Sequence, residues 1–227
     1  MWKELLKLWH EDNLLEQAWQ MSYEMVGICE EMFNESIKAL REEGHDNIDK
    51  EIRKKDKIIN KYERRVRRKI LTHLAFNGAR EVPAGLILVT VIIDIERVGD
   101  FTKNIVELVE AHGKTLKAGK YEKSLKKIEQ GLFEVFEKTK FCIRESNPET
   151  ALEIMNGYNW ISLECEKNLR KIIKQKDRQI DSGTAATLAL YFRYLKRIYA
   201  HLRNLTSSVV NPFDRIGFKP KAKDVQL

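Results

Sequence analysis

The order of apolar and polar residues divides the chain into helix-length segments. The central one runs from Val82 to His112. It opens as an almost wholly apolar run, Ala84 to Ile93, and turns acidic at Asp94. Pro83 suits a first helical turn, where no helical N–H is lost, and Gly113 suits the end. Within it Glu96, Asp100 and Asn104 recur every fourth residue and Glu107 follows three later, so they share one face. That row continues the apolar row Val89, Ile92, so carboxylates begin where the buried stripe stops. Two carboxylates one turn apart on a half-buried face repel each other and lose hydration, and a cation between them relieves both costs.

The flanking segments follow the same helical period. A first helix spans Trp2 to about Glu43, with a new start at Leu14 capped by Asp12 or Asn13. Its stripe is Leu14, Ala18, Met21, Met25, Ile28, Met32 and Ile37, and Gly44 closes it. A second, capped by Asp46 or Asn47, reaches about Asn77 on the stripe Ile48, Ile52, Ile59, Tyr62, Val66, Ile70 and Leu74. After the connection Gly113 to Lys120, a fourth helix covers Tyr121 to Glu145 with Leu125, Ile128, Leu132, Phe136 and Phe141 inward. Asn147 caps a fifth at Pro148, read as continuous through Tyr158 to Ile172. Gly183 breaks the chain, and a sixth helix runs from Thr184 to about Val209. The tail from Pro212 reads as irregular and basic, with Phe213, Ile216 and Phe218 available to fold back on the body.

Six helices with short links predict an all-α bundle and a duplication of a three-helix unit. A shift of one hundred places sets Leu195, Arg197, Ile198, Asn204 and Leu205 over Ile95, Arg97, Val98, Asn104 and Ile105. The expected units are 1–113, 114–210 and a tail, 211–227. Under the same shift Glu96 meets Lys196 and Asp100 meets Ala200. An ammonium offers no lone pair to a metal, so any acidic site of this kind belongs to the first unit. Lys196, Arg197, His201 and Arg203 offer a weaker anion reading beside that of ordinary surface base.

Among 227 residues, 43% are apolar and 33% charged, with 11 Gly and only 4 Pro, which suits long salt-bridged helices. No run reaches the roughly 18 apolar residues that span a bilayer, and no secretory signal is legible. Cys29, Cys142 and Cys165 lack metal or disulfide spacing and read as reduced core residues of a cytoplasmic protein. The net charge of +7 permits nucleic acid, an anionic membrane or an acidic partner without choosing among them. Much of it lies on the second helix, from Lys50 to Lys69, where Glu51, Asp56 and Glu63 interleave as helix pairs would. Only Tyr62 is aromatic there, so no platform for stacking nucleic-acid bases is present.

Catalytic patterns are missing. There is no phosphate loop, nucleophile elbow or HExxH. A di-iron bundle needs Glu-x-x-His pairs, and the sole such spacing, Glu42 to His45, contains Gly44. The five histidines are scattered and read as polar residues at helix ends and surfaces.

The stretch Ile95 to Glu107, IERVGDFTKNIVE, resembles the signature of the PhoU family, Leu-Glu-Arg-Ile-Gly-Asp-His-Ala-x-Asn-Ile-Ala-Glu. Glu96, Arg97, Gly99, Asp100, Asn104, Ile105 and Glu107 match, and Phe101 stands where the family has His. The resemblance implies two tandem three-helix repeats and a metal-binding, non-enzymatic regulator of phosphate uptake. Such a protein would act in the cytoplasm, as a homodimer, through a phosphate transporter or sensor kinase at a membrane complex. It assigns metal-ligand roles to Glu96 and Asp100 and, through an acidic pair on the preceding helix, to Asp56 and the weaker Asn60. Asn104 shares their row. The metal implied is iron, while oxygen donors equally suit Mg, Mn or Ca. The competing reading is a basic helical adaptor or nucleic-acid-binding protein without metal.

Overall fold

The structure is a computed structural model that describes residues 13–42, 48–77, 79–174 and 179–220. The expected caps at Asp46 and Asn47 and the residues before Asn13 lie outside these. Among the described residues, seven α-helices follow in order: α1 Leu14–Arg41, α2 Ile48–Asn77, α3 Val82–His112, α4 Glu122–Glu145, α5 Pro148–Gly157, α6 Asn159–Ile173 and α7 Ser182–Val210. No strand occurs among the described residues.

Local chemistry sets the helix ends. Asn13, Asn147 and Asp181 accept the backbone N–H groups of Leu15, Thr150 and Thr184, each at 2.8 Å, which satisfies amides that a helix start leaves open. Gly113 ends α3 at φ 65°, a left-handed conformation that glycine adopts without strain. Helix α3 has the bounds its pattern predicts.

Several expectations are corrected. The fifth helix is not continuous: Gly157 ends α5, and Tyr158 turns the chain at φ −103°, ψ 4° before α6 starts. Asn156 and Gly157 are weak helix formers at that point, and the break lets the Tyr158 hydroxyl donate to Glu134 on α4. Phe141 points outward, while Cys142 and Ile143 take the core. In α1, Ala18, Met25, Met32 and Ile37 are buried as expected, but the buried stripe is wider on one flank. Val26, Cys29 and Phe33 are buried, whereas Leu14, Met21 and Ile28 are only half-buried. In the tail, Ile216 packs on the core, but Phe213 and Phe218 stay exposed.

Helices α1–α3 form one three-helix unit, and α4, the broken pair α5–α6, and α7 form the second. Helix α3 packs against α1 and α2 on one side and α7 on the other, with buried residues of both units in one apolar core. Phe33 of α1 reaches Phe133 and Phe136 of α4 at ring distances of 5.3 and 5.1 Å.

A polar joint reinforces this seam. Arg41, at the end of α1, donates to the Leu116 carbonyl at 2.5 Å. It also pairs with Glu122 and with the buried Glu129 of α4, which accepts from the Tyr191 hydroxyl of α7 at 2.8 Å. Burial holds the Glu129 carboxyl above its ordinary range, and Arg41 and the Tyr191 hydroxyl pull it partly back. The stability tied to that shift is fully present below the ordinary glutamate value and is lost as pH rises through the raised one. Replacing Arg41 raises it further and strands a buried charge. Arg41→Met should therefore cost about 3 kcal/mol at neutral pH, with the deficit shrinking as pH falls below 5 in denaturant titrations. An equal deficit at both pH values would assign the loss to packing.

Candidate functional site

The carboxylate row of α3 faces α2 because the two helices approach closely at Gly99. A Cβ there would stand 2.9 Å from the Ile59 Cδ1 atom and 3.7 Å from Cys29 Sγ. This contact draws Asp56, Asn60 and Glu63 of α2 alongside Glu96, Asp100 and Lys103 of α3. All six side chains are half-buried.

The ammonium of Lys103 lies between the two helices. It donates to Asp100 Oδ1 at 3.1 Å and to Asp56 Oδ1 at 3.3 Å. Asn60 Nδ2 donates to Asp56 Oδ2 at 3.2 Å and to the Asp56 carbonyl at 3.0 Å. The Arg97 guanidinium, mostly in solvent, holds Asp100 Oδ2 at 3.1 Å and approaches Glu96 at 3.7 Å. Glu63 is tied to Arg67 at 2.7 Å.

The charges register this crowding. Burial, followed by the field of Asp100, raises the Glu96 carboxyl; Arg97 opposes the shift, and Glu63 and Asp56 add to it. Burial works against the charge of Lys103, but its bond to Asp100 and the field of Asp56 prevail and hold the ammonium above its usual value. Burial likewise raises the Cys29 thiol, which donates to the Ile95 carbonyl.

The structure thus brings together Glu96, Asp100, Asp56 and Asn60. Asn104 lies one turn on, half-buried, with no hydrogen bond to the cluster. Phe101 faces away from the acids. It stacks on His201 of α7 at 5.7 Å and lies beneath the Arg197 guanidinium at 5.6 Å. The residue that sequence reasoning missed is Lys103, at the unassigned position of the signature. Its spacing of three from Asp100 and seven from Glu96 was the available signal.

The donors are oxygens, as a hard cation prefers. Yet among the described residues no three His, Cys, Asp or Glu side chains gather closely enough to hold a metal ion. In this arrangement a lysine supplies the positive charge between Asp56 and Asp100.

The second unit carries different chemistry. Lys196 of α7 pairs with Glu166 of α6 at 2.7 Å. His201 is bonded to Asp94 of α3 at 2.7 Å, and Asn204 donates to the same oxygen at 3.3 Å. Lys196, His201 and Asn204 are thus engaged in internal contacts, while Arg203 Nε is buried without a hydrogen-bond partner. Nor are all the histidines superficial: His73 is buried and pairs with Glu81.

Residues 23–109, the three helices that build this cluster, match the family model of the PhoU domain. The fold is similar to that of PhoU from Pseudomonas aeruginosa, with a TM-score of 0.76 at 19% identity over 87% of this chain and 95% of that one. It is equally similar to the phosphate transport system regulatory protein PhoU from Streptococcus pneumoniae, with a TM-score of 0.74 at 17% identity over 86% and 93%. No curated protein sequence matches the chain.

The raised Glu96 carboxyl has a measurable sign. Its contribution is present below the ordinary glutamate value and disappears as pH rises through the raised one. In metal-free buffer at neutral pH, Glu96→Gln should be neutral or stabilising by up to about 1 kcal/mol, with the benefit vanishing near pH 4. Destabilisation at neutral pH would show that the charge itself is needed.

Proposed function

We propose that this chain regulates phosphate uptake and phosphate signalling by docking on a phosphate transporter, its sensor kinase, or both, without catalytic turnover. The observation that carries the reading is the PhoU domain itself, whose three helices assemble the acidic seam around Lys103. The neighbour from Streptococcus pneumoniae, a phosphate transport system regulatory protein, supports it through the shared fold. The protein would act in the cytoplasm as a homodimer. No helix among the described residues is long and apolar enough to cross a membrane, which accords with contact from outside the bilayer.

The docking element we assign is the outward face of α2. Lys54, Lys57, Lys61, Arg64, Arg65 and Arg68 are exposed there, and none pairs with a carboxylate among the described residues. They form one stripe about 21 Å long, which suits an acidic protein surface. The second reading, a nucleic-acid-binding adaptor, rests on the same stripe but lacks aromatic side chains to stack bases. Reversing charge at Lys57→Glu, Lys61→Glu and Arg65→Glu should weaken capture of the transporter ATPase or kinase by about tenfold or more, with salt mimicking the loss. Undiminished capture would remove α2 from the interface. Salt-sensitive binding to duplex DNA with no capture of either protein would favour the adaptor.

Metal binding is part of the proposal in a specific form. Glu96, Asp100 and Asp56 would hold a hard cation, iron or Mg, Mn or Ca, with Asn60 and Asn104 at the margin and Lys103 as its competitor. Such an ion would replace the ammonium charge between the two helices. After dialysis against each metal, Lys103→Met should retain more metal than the wild type, and Glu96→Ala/Asp100→Ala none. Absence of uptake in all three proteins would leave a lysine-neutralised seam and no metal site.

A further inference from the structure

Between the start of α4 and the facing side of α6 lies a groove of about 450 Å³. It is lined by Lys120, Lys123, Lys127 and Lys171, with Tyr121 and Trp160 as apolar walls. Its polar floor is built. Asn168, only 2% exposed, donates to Ser124 Oγ at 2.6 Å, and Ser124 donates to Glu164 at 3.1 Å. Glu164, the one carboxylate in the lining, is gripped at both oxygens by Lys167, at 3.2 and 3.0 Å. Its charge is therefore answered mainly by Lys167 from outside the groove, with a smaller contribution from the field of Lys171.

Two of the lysines stand without such a bond. Lys123 and Lys171 pair with no carboxylate among the described residues, and the Lys127 ammonium lies 4.5 Å over the Trp160 ring. Trp160 is held in place by a close approach: a Cβ on Gly131 would stand 2.8 Å from its ring. Several cations thus converge on one concavity of ordinary ligand size while its acid is neutralised. Such a site selects a multiply charged anion.

The kind of cation narrows the class. A guanidinium fork or a cage of backbone N–H groups fits a single tetrahedral oxyanion, whereas separate ammonium groups on flexible stems suit charge spread along a chain. We infer that the groove between α4 and α6 binds an oligophosphate chain, either free or as the tail of a nucleotide. The phosphates would lie among Lys123, Lys127 and Lys171, with Ser124 and Asn168 beneath. Trp160 would offer its ring to a base when one is attached. This site is separate from the acidic seam and does not depend on the regulator reading.

Isothermal titration of the full chain at low salt with tripolyphosphate, ATP, AMP and orthophosphate tests it. The expected result is one site per chain for tripolyphosphate or ATP, at least about tenfold tighter than for AMP or orthophosphate. Equal affinity for tripolyphosphate and ATP would identify the free chain as the ligand; clearly tighter ATP would identify the nucleotide. Lys123→Glu/Lys171→Glu should abolish binding with an unchanged thermal melt. The remote pair Lys57→Glu/Lys61→Glu, of equal charge change, should retain it. Failure of both oligophosphates to bind, or equal loss in the two pairs, would overturn the assignment and leave only a generally basic surface. Neither result bears on capture of the transporter or kinase, so the two readings fail separately.

Discussion

The approach of α2 to α3 at Gly99 is the constraint on which the acidic seam rests. With Ile59 Cδ1 against the space a Cβ would fill, the backbones come near enough for a single lysine to reach an acid on each helix. Half-buried carboxylates lose hydration and repel one another. A compact ammonium on a flexible stem can answer two of them at once, as Lys103 does for Asp56 and Asp100. Glu96 has only the distant Arg97 nitrogen and is the acid left raised. Helix α3 cannot relieve the crowding by rotation. Its other side is fixed to α7 by the stack of Phe101 on His201 and the bond from His201 to Asp94.

What could be read from the sequence follows from which contacts are local. The bounds of α3 depend on its own proline, glycine and apolar run, and they were legible. The full width of the α1 stripe was not, because which flank of a methionine-rich helix is buried depends on where α3 and α4 stand. The break after Gly157 was hidden for a similar reason: the apolar spacing continues through it, and the advantage of stopping is a bond to Glu134 on another helix. His73 and His201 are partly or wholly enclosed because Glu81 and Asp94 meet them there, a pairing that no spacing along one helix reveals. For the acidic cluster, the register aligned Glu96 and Asp100 with Asn104, and the resemblance to the family, not any spacing, brought Asp56 and Asn60 to them. Lys103 escaped notice because a lysine on a polar helical face ordinarily extends into water.

The two units share packing and divide the chemistry. In the first, acids of α2 and α3 surround a lysine. In the second, Lys196 and Glu166 pair across the packed contact between α6 and α7, and lysines collect instead between α4 and α6. Two helical units of one chain can differ in this way because the core positions that hold the helices together are distinct from the half-buried positions beside them. Changes at the latter alter charge without emptying the core.

Charge separation on α2 is the last step of this reasoning. In the sequence, Glu51, Asp56 and Glu63 punctuate a run of bases and look like its counter-ions, which would make the helix an ordinary solvated element. In the fold the acids are largely spent elsewhere. Asp56 turns inward to Lys103, and Glu63 takes Arg67 at the flank of the stripe. The six bases from Lys54 to Arg68 keep an arc of their own, and on the same helix Leu71 and Phe76 protrude at 72% and 85% exposure. Like charges held in a row by a packed helix raise the free energy of the isolated protein, and the cost falls when an acidic surface covers them. Exposed leucine and phenylalanine at the end of that row carry the same sign, since water is a poor solvent for both. The face that burdens the free chain is therefore the face from which binding recovers the most.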